Sequence, residues 1–262
     1  MNCFCDAVSK YLKCHDCSVF HADLPRYLYE RECYDIAKSL INAALETFED
    51  KSTLSYASAV DLSGLLDLDM NNPDKALIPF EEAYAIRKKL LEPIDGMIAS
   101  SLNNIALAYT EMGELDKAYA AHEEAISIRL CTNSNRIGNS YSNMSSLLLR
   151  MNRPDEAEEM LKRCPSLKDF TDETFIKTGD PRFSGDMVLL SRIRVQQGRL
   201  DEALRLASKA LAFRQRLLGN RLKHAIRYTT WHPCCTSTVT LLPLCEWILL
   251  KSWYLIITNI FL

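Results

Sequence analysis

Apolar and small residues at Leu102, Ile105, Ala106, Tyr109 and Met112 recur at three- and four-residue steps, which puts them on one stripe of a helix. Gly113-Glu114 interrupts the pattern, and a second stripe follows at Leu115, Ala118, Tyr119, His122, Ala125 and Ile126. Two amphipathic helices joined by a tight turn make a hairpin. A lone hairpin cannot bury both stripes and needs copies of itself stacked on either side.

The copies are visible in a linked pair of positions. Asp-x-Ala occurs at Asp35-Ile36-Ala37, Asp74-Lys75-Ala76, Asp116-Lys117-Ala118, Asp155-Glu156-Ala157 and Asp201-Glu202-Ala203, with 39, 42, 39 and 46 residues between the alanines. Aspartate suits the cap or first turn of a helix, where exposed backbone N–H groups and the positive end of the dipole favour a carboxylate. The alanine is small enough for a neighbouring helix to approach closely. Seven residues beyond each stand Ala44, Ala83, Ala125, Cys164 and Ala210, on the same helical face. The register predicts an all-α, right-handed solenoid of about five helix-turn-helix hairpins over residues 20–220.

The set Leu102, Ile105, Ala106, Tyr109, Ala118, His122 and Ala125 resembles the large, large, small, aromatic, small, aromatic, small signature of tetratricopeptide repeats. His122 departs from it, since Phe or Tyr is usual there, and Phe80 fills that place one repeat earlier. The period exceeds 34 residues, and Arg87, Arg129 and Arg214 each lie four residues beyond the second small position, so the repeats resemble the kinesin-light-chain type. Residues 172–204 further resemble repeat arrays attached to fungal STAND (NB-ARC-type) NTPases.

Taken in order, residues 1–19 are a cysteine-containing segment. The first hairpin follows at 21–48, with Pro25 expected to bend or delay its first helix. The second is expected at 54–91, with its turn at Asn71-Asn72-Pro73, and the third from the linker at 92–96 to Arg129. The fourth runs from Arg136 to Arg163 around Asn152-Arg153-Pro154. Pro165, Gly179, Pro181 and Gly185 mark a long loop at 164–185, with room for a short helix at 169–176. The fifth hairpin runs from Asp186 to Leu217 around Gln197-Gly198-Arg199, leaving an apolar stripe of Leu204, Leu211 and Leu217 with no following repeat. Residues 221–262 fall outside the register and carry few charges. The stretch 241–262 is long enough to span a bilayer, although Glu246 and Lys251 would each cost ~2.5–3.5 kcal/mol there. A docked apolar helix, a membrane anchor and non-native coding sequence are the three readings of this tail. Removing it is expected to leave the array folded.

Composition excludes more than it adds. A net charge of −3 offers no broad attraction to nucleic acid, and no uninterrupted apolar core follows a basic start, so a cytoplasmic chain with reduced thiols is expected. Cys3, Cys5, Cys14 and Cys17 could hold zinc, but Cys-x-Cys is an awkward ligand pair and free cysteines are common in helical cores, so no metal is expected. No phosphate-cradling glycine loop, nucleophile turn or His-Glu-x-x-His occurs, so no cofactor and no catalytic residue is expected.

What remains is binding of a protein or peptide, with a membrane involved only through 241–262. The tetratricopeptide resemblance implies that the first helix of each hairpin lines a concave groove. It places Asn103, Asn104, Leu107 and Thr110 there, beside Glu111, then Ser142, Asn143, Ser146 and Arg150, then Arg192 beside Gln196. Amide side chains can serve a peptide backbone as donor and acceptor, and the arginines could hold a carboxylate. Two alternatives stand beside this scaffold reading: a sensor fragment of a STAND-type NTPase system, and a tail-anchored adaptor.

Overall fold

The computed structural model describes residues 34–165, 167 and 181–218, and of the last stretch the side chains of 184–213. The amino-terminal cysteines, Pro25, the short helix expected at 169–176 and the tail lie outside the described residues. Nine helices occur among those described, and no strand. They are α1 (Tyr34–Thr47), α2 (Leu54–Asp69), α3 (Pro73–Leu90), α4 (Gly96–Met112), α5 (Leu115–Cys131), α6 (Ile137–Arg150), α7 (Pro154–Lys162), α8 (Pro181–Gln196) and α9 (Leu200–Leu218).

The chain divides within α6 into two compact units, 1–147 and 148–262. In the first, α2 packs on α3 and α4 on α5 as hairpins, and the hairpins join through α1 on α2 and α3 on α4. In the second, α8 packs on α9 and on α7.

One turn joins the two helices of four hairpins, and it also closes α5 at Asn133 (φ 49°), where Asn133 N bonds to Leu130 O at 3.2 Å and Ser134 N to Arg129 O at 3.0 Å. A residue in the left-handed region stands at Asn71 (φ 61°), Gly113 (81°), Asn152 (58°) and Gly198 (75°). Each time its N–H, and the N–H after it, bond back to the ending helix: Gly113 to Thr110 O at 3.2 Å and Glu114 to Tyr109 O at 2.9 Å, with the same pair at the other three turns. This is the Schellman closure, which satisfies carbonyls that a helix end leaves orphaned. Glycine and asparagine are the residues that tolerate the required φ.

The next helix then opens on the same bond, from the alanine of Asp-x-Ala to the residue before the helix: Ala76 N to Asn72 O, Ala118 N to Glu114 O, Ala157 N to Arg153 O and Ala203 N to Arg199 O. The aspartates therefore sit in the first turn and not at the cap; Asn72, Glu114 and Arg153 hold the cap position without a side-chain cap bond. All ten small residues of the linked pair are at most 1 % exposed. The helices meet there.

Helix α8 begins at Pro181, five residues before the expected Asp186. Proline and glycine read as breakers from sequence, but proline at the first helical position loses no bond the helix would make, and its φ is already helical. Gly185 sits inside the helix with open space beyond its Cα.

Candidate interaction surface

The first helices α2, α4 and α6 carry a polar set at repeated register positions. At the third hairpin, Asp95 caps α4 by accepting the Met97 N–H at 2.7 Å. That start fixes the helical phase of Ser101, Asn103 and Asn104.

Of the nine expected groove residues, Asn104, Leu107, Arg150 and Arg192 are half-buried. Asn103, Thr110, Ser142, Asn143 and Ser146 are buried. Asn104 donates through Nδ2 to Asp61 Oδ1 at 3.0 Å, a bond directly between the consecutive first helices α4 and α2. Leu107 packs on the cluster of Leu68, Ala76, Phe80, Ile105 and Ala108. The Thr110 hydroxyl is spent on Ala106 O at 2.7 Å. Gln196 reaches Leu149 O at 3.2 Å through Nε2.

Asn103 turns inward because it belongs to a network that sequence reading missed. Arg87 Nη1 donates to Asp61 Oδ2 at 2.8 Å and to Ser101 Oγ at 2.6 Å, clamping the end of α3 to α2 and to the next first helix. One repeat on, Arg129 Nη1 donates to Ser140 Oγ at 2.6 Å, and Asn103 Nδ2 donates to the same oxygen at 3.2 Å. The positions match: Arg87 with Arg129, Ser101 with Ser140, Asp61 with Asn103. The signal was available as the recurrence of Arg four residues past the small position, which marks a buried clamp.

The exchange of Asp61 for Asn103 accompanies the exchange of Phe80 for His122. His122 is fully buried, and its Nδ1 lies 2.9 Å from Asn103 Oδ1. That oxygen can only accept, so His122 carries its proton on Nδ1. Its Nε2 has no partner. Burial, aided by the nearby Arg129 charge, pushes the imidazole down to about 3, and it is neutral near pH 7. Burial also holds the Arg129 guanidinium below the ordinary arginine value, with Arg136 adding to the effect.

A second set links successive helices one residue past the first, second and fourth Asp-x-Ala alanines, at Lys38, Leu77 and Glu158. Lys38 on α1 pairs with Asp67 on α2 at 2.6 Å. In the corresponding places Leu77 and Tyr109 pack on one apolar cluster. In the second unit Glu158 on α7 and Arg194 on α8 form a two-pronged pair: Arg194 Nη1 to Glu158 Oε2, and Nη2 to Oε1 at 2.8 Å. The link is the same with its charges reversed. Gln197 joins it at 2.9 Å from Glu158 Oε2, and the Arg194 guanidinium holds the Glu158 carboxyl well below the usual carboxylate range.

Among the described residues no group of three or more His, Cys, Asp or Glu side chains is placed to hold a metal, and no helix is long and apolar enough to cross a membrane.

With this geometry in view, the chain's likenesses can be placed. Tetratricopeptide-repeat models match residues 97–164 and 189–225. No curated protein matches the chain. Among solved structures it is similar to kinesin-light-chain-type, nearly identical TPR-like repeats from Podosopora anserina, at 17 % identity and TM-score 0.57, covering 76 % of this chain and 96 % of that one. It is also similar to BtubC (BKLC) from P. vanneervenii, at 18 % identity and TM-score 0.61, covering 81 % and 88 %. A further likeness is to the Rap conjugation gene regulator of the plasmid pLS20, in complex with the Phr* peptide, at 16 % identity and TM-score 0.64, covering 82 % of this chain and 58 % of that one. These identities speak to fold alone, and the fold is an all-α helical-repeat solenoid. The two matched stretches, the alanine register and the shared helix-closing turn show that this chain carries tetratricopeptide repeats of the kinesin-light-chain-like kind.

Proposed function

We propose that the chain is a non-catalytic interaction scaffold whose first helices bind a peptide or a partner protein segment. The observation that carries this reading is the Asn104–Asp61 bond. It joins two consecutive first helices side by side, from half-buried Asn104 to buried Asp61, and leaves the Asn104 carbonyl oxygen to accept from a peptide N–H. Leu107, three residues along the same helix, adds an apolar contact. The likeness to the Rap regulator solved with the Phr* peptide supports the reading.

The test is selection of peptides from a displayed random library on the full chain, followed by titration of the winners. Asn104→Ala with Leu107→Ala weakens binding at least tenfold, about 1.4 kcal/mol. Arg150→Glu with Arg192→Glu is measured in parallel for peptides carrying a carboxylate. Binding that both double variants leave unchanged places the site elsewhere.

A further inference from the structure

The two arginine clamps differ in one respect that bears on ligands. Arg87 is 4 % exposed and has its counter-ion in Asp61. Arg129 is 5 % exposed and has none. Its hydrogen bonds run from Nη1 to Ser140 Oγ and Arg136 O (3.2 Å) and from Nη2 to Ser100 Oγ, the last a long 3.4 Å. Every acceptor is neutral, and among the described residues no carboxylate stands within ion-pair distance of Arg129 or Arg136. Asn103, where the preceding repeat has its aspartate, turns a donor toward the same serine.

The connecting segments sharpen the contrast. Between Arg87 and Ser101 the chain carries Glu92 and Asp95 beside Lys88 and Lys89. Between Arg129 and Ser140 the only charged residue is Arg136, which is exposed. Arg136 lies close enough for its charge to disfavour that of Arg129. A buried cation costs several kcal/mol unless paired, so a site with converging donors, two guanidiniums and no anion attracts one from outside.

We propose that the junction between α5 and α6 is an oxyanion-binding site, in which Arg129 and Arg136 hold a carboxylate or phosphate group that takes the part Asp61 plays toward Arg87. Arg129 offers the Nε–Nη2 edge of its planar guanidinium, where its one hydrogen bond is the long contact to Ser100 Oγ, and the exposed Arg136 adds a second positive charge nearby. The site is separate from the Asn104–Asp61 surface and does not depend on peptide binding there.

The experiment is thermal melting of the full chain with glutarate or inorganic phosphate, against chloride at matched ionic strength. The wild type gains about 3 °C from a bound anion at roughly ten times its dissociation constant. Asn103→Asp, which restores the internal carboxylate, melts higher without additive and loses most of the response. Arg136→Ser, an exposed change that leaves the clamp in place, weakens the apparent affinity about tenfold and keeps the test open should Asn103→Asp misfold. A response to glutarate alone identifies an acidic side chain or small acid as the natural source, and a response to phosphate alone identifies a phosphoryl group. A wild type indifferent to both anions, or an Arg136→Ser protein that responds as fully as wild type, overturns the proposal.

Discussion

Phe80 lies directly over the Cα of Gly64: a Cβ on that glycine would meet Phe80 Cε1 at 2.6 Å and Cδ1 at 2.7 Å. The same two places one repeat later hold His122 and Ala106, both fully buried. The smaller ring stands where the first helix has gained a methyl group. Volume is exchanged across the hairpin interior from one repeat to the next, as close packing requires.

Gly64→Ala is therefore expected to destabilise the chain by about 1–3 kcal/mol, because the ring is buried and the Ala76 carbonyl, 3.1 Å from the same Cβ, blocks retreat. Phe80→Leu alone leaves a void and costs about 1–3 kcal/mol. Together the two cost less than their sum, and denaturant titration of the four proteins gives the coupling.

Acid stability carries the mark of His122. Its folded value of about 3 lies below the ordinary 6.5, so between those limits the unfolded chain takes up a proton that the folded chain refuses. Stability from this residue is complete above pH 6.5, falls as pH drops toward 3 and is flat below. His122→Phe, made with Ala106→Gly to open room for the ring, removes that limb. Glu158 adds a second loss as pH falls below its ordinary 4.5, because its folded carboxyl is held lower by Arg194. The double variant keeps the Glu158 loss, so melting temperature against pH separates the two. An unchanged profile between pH 6.5 and 4.5 would falsify the neutral buried imidazole.

Removing Arg194 takes the two-pronged partner from Glu158, which is 9 % exposed, and leaves it Lys162 at 3.1 Å and Gln197 at 2.9 Å. Arg194→Met is expected to cost about 1–3 kcal/mol, and Arg194→Met with Glu158→Met to recover most of it. Lys38→Met is expected to cost at most about 1 kcal/mol, since Lys38 is 22 % exposed in its ion pair with Asp67. Chemical denaturation of the three variants against wild type ranks them.

The fold was legible because its signals are local. Asp-x-Ala, the small residue seven places on, and the Asn or Gly before four of the five second helices are dictated by backbone closure and helix approach, and each recurs. The binding face was less legible for a geometric reason. A single hairpin suggests one buried stripe per helix, yet α4 packs against α3 and α5 and touches α2, and all ten residues 140–149 of α6 are buried. Asn103 and Ser146 look solvated on a helical wheel and are interior in the array. What distinguishes Asn104 from Asn103 is a neighbouring helix 43 residues away in sequence, at Asp61, which no local pattern contains.

The linking positions also bear on how such a chain can grow. Lys38 on α1 meets Asp67 on α2, Leu77 on α3 and Tyr109 on α4 meet on one apolar cluster, and Glu158 on α7 meets Arg194 on α8. A tandem duplication sets a hairpin's outgoing residue against its own incoming one. For the second hairpin that joins Leu77 to Asp67, leaving a carboxylate without the lysine it now has. A copy of that hairpin in place needs a compensating change at one of the two, and the charged link keeps it in its ordinal position.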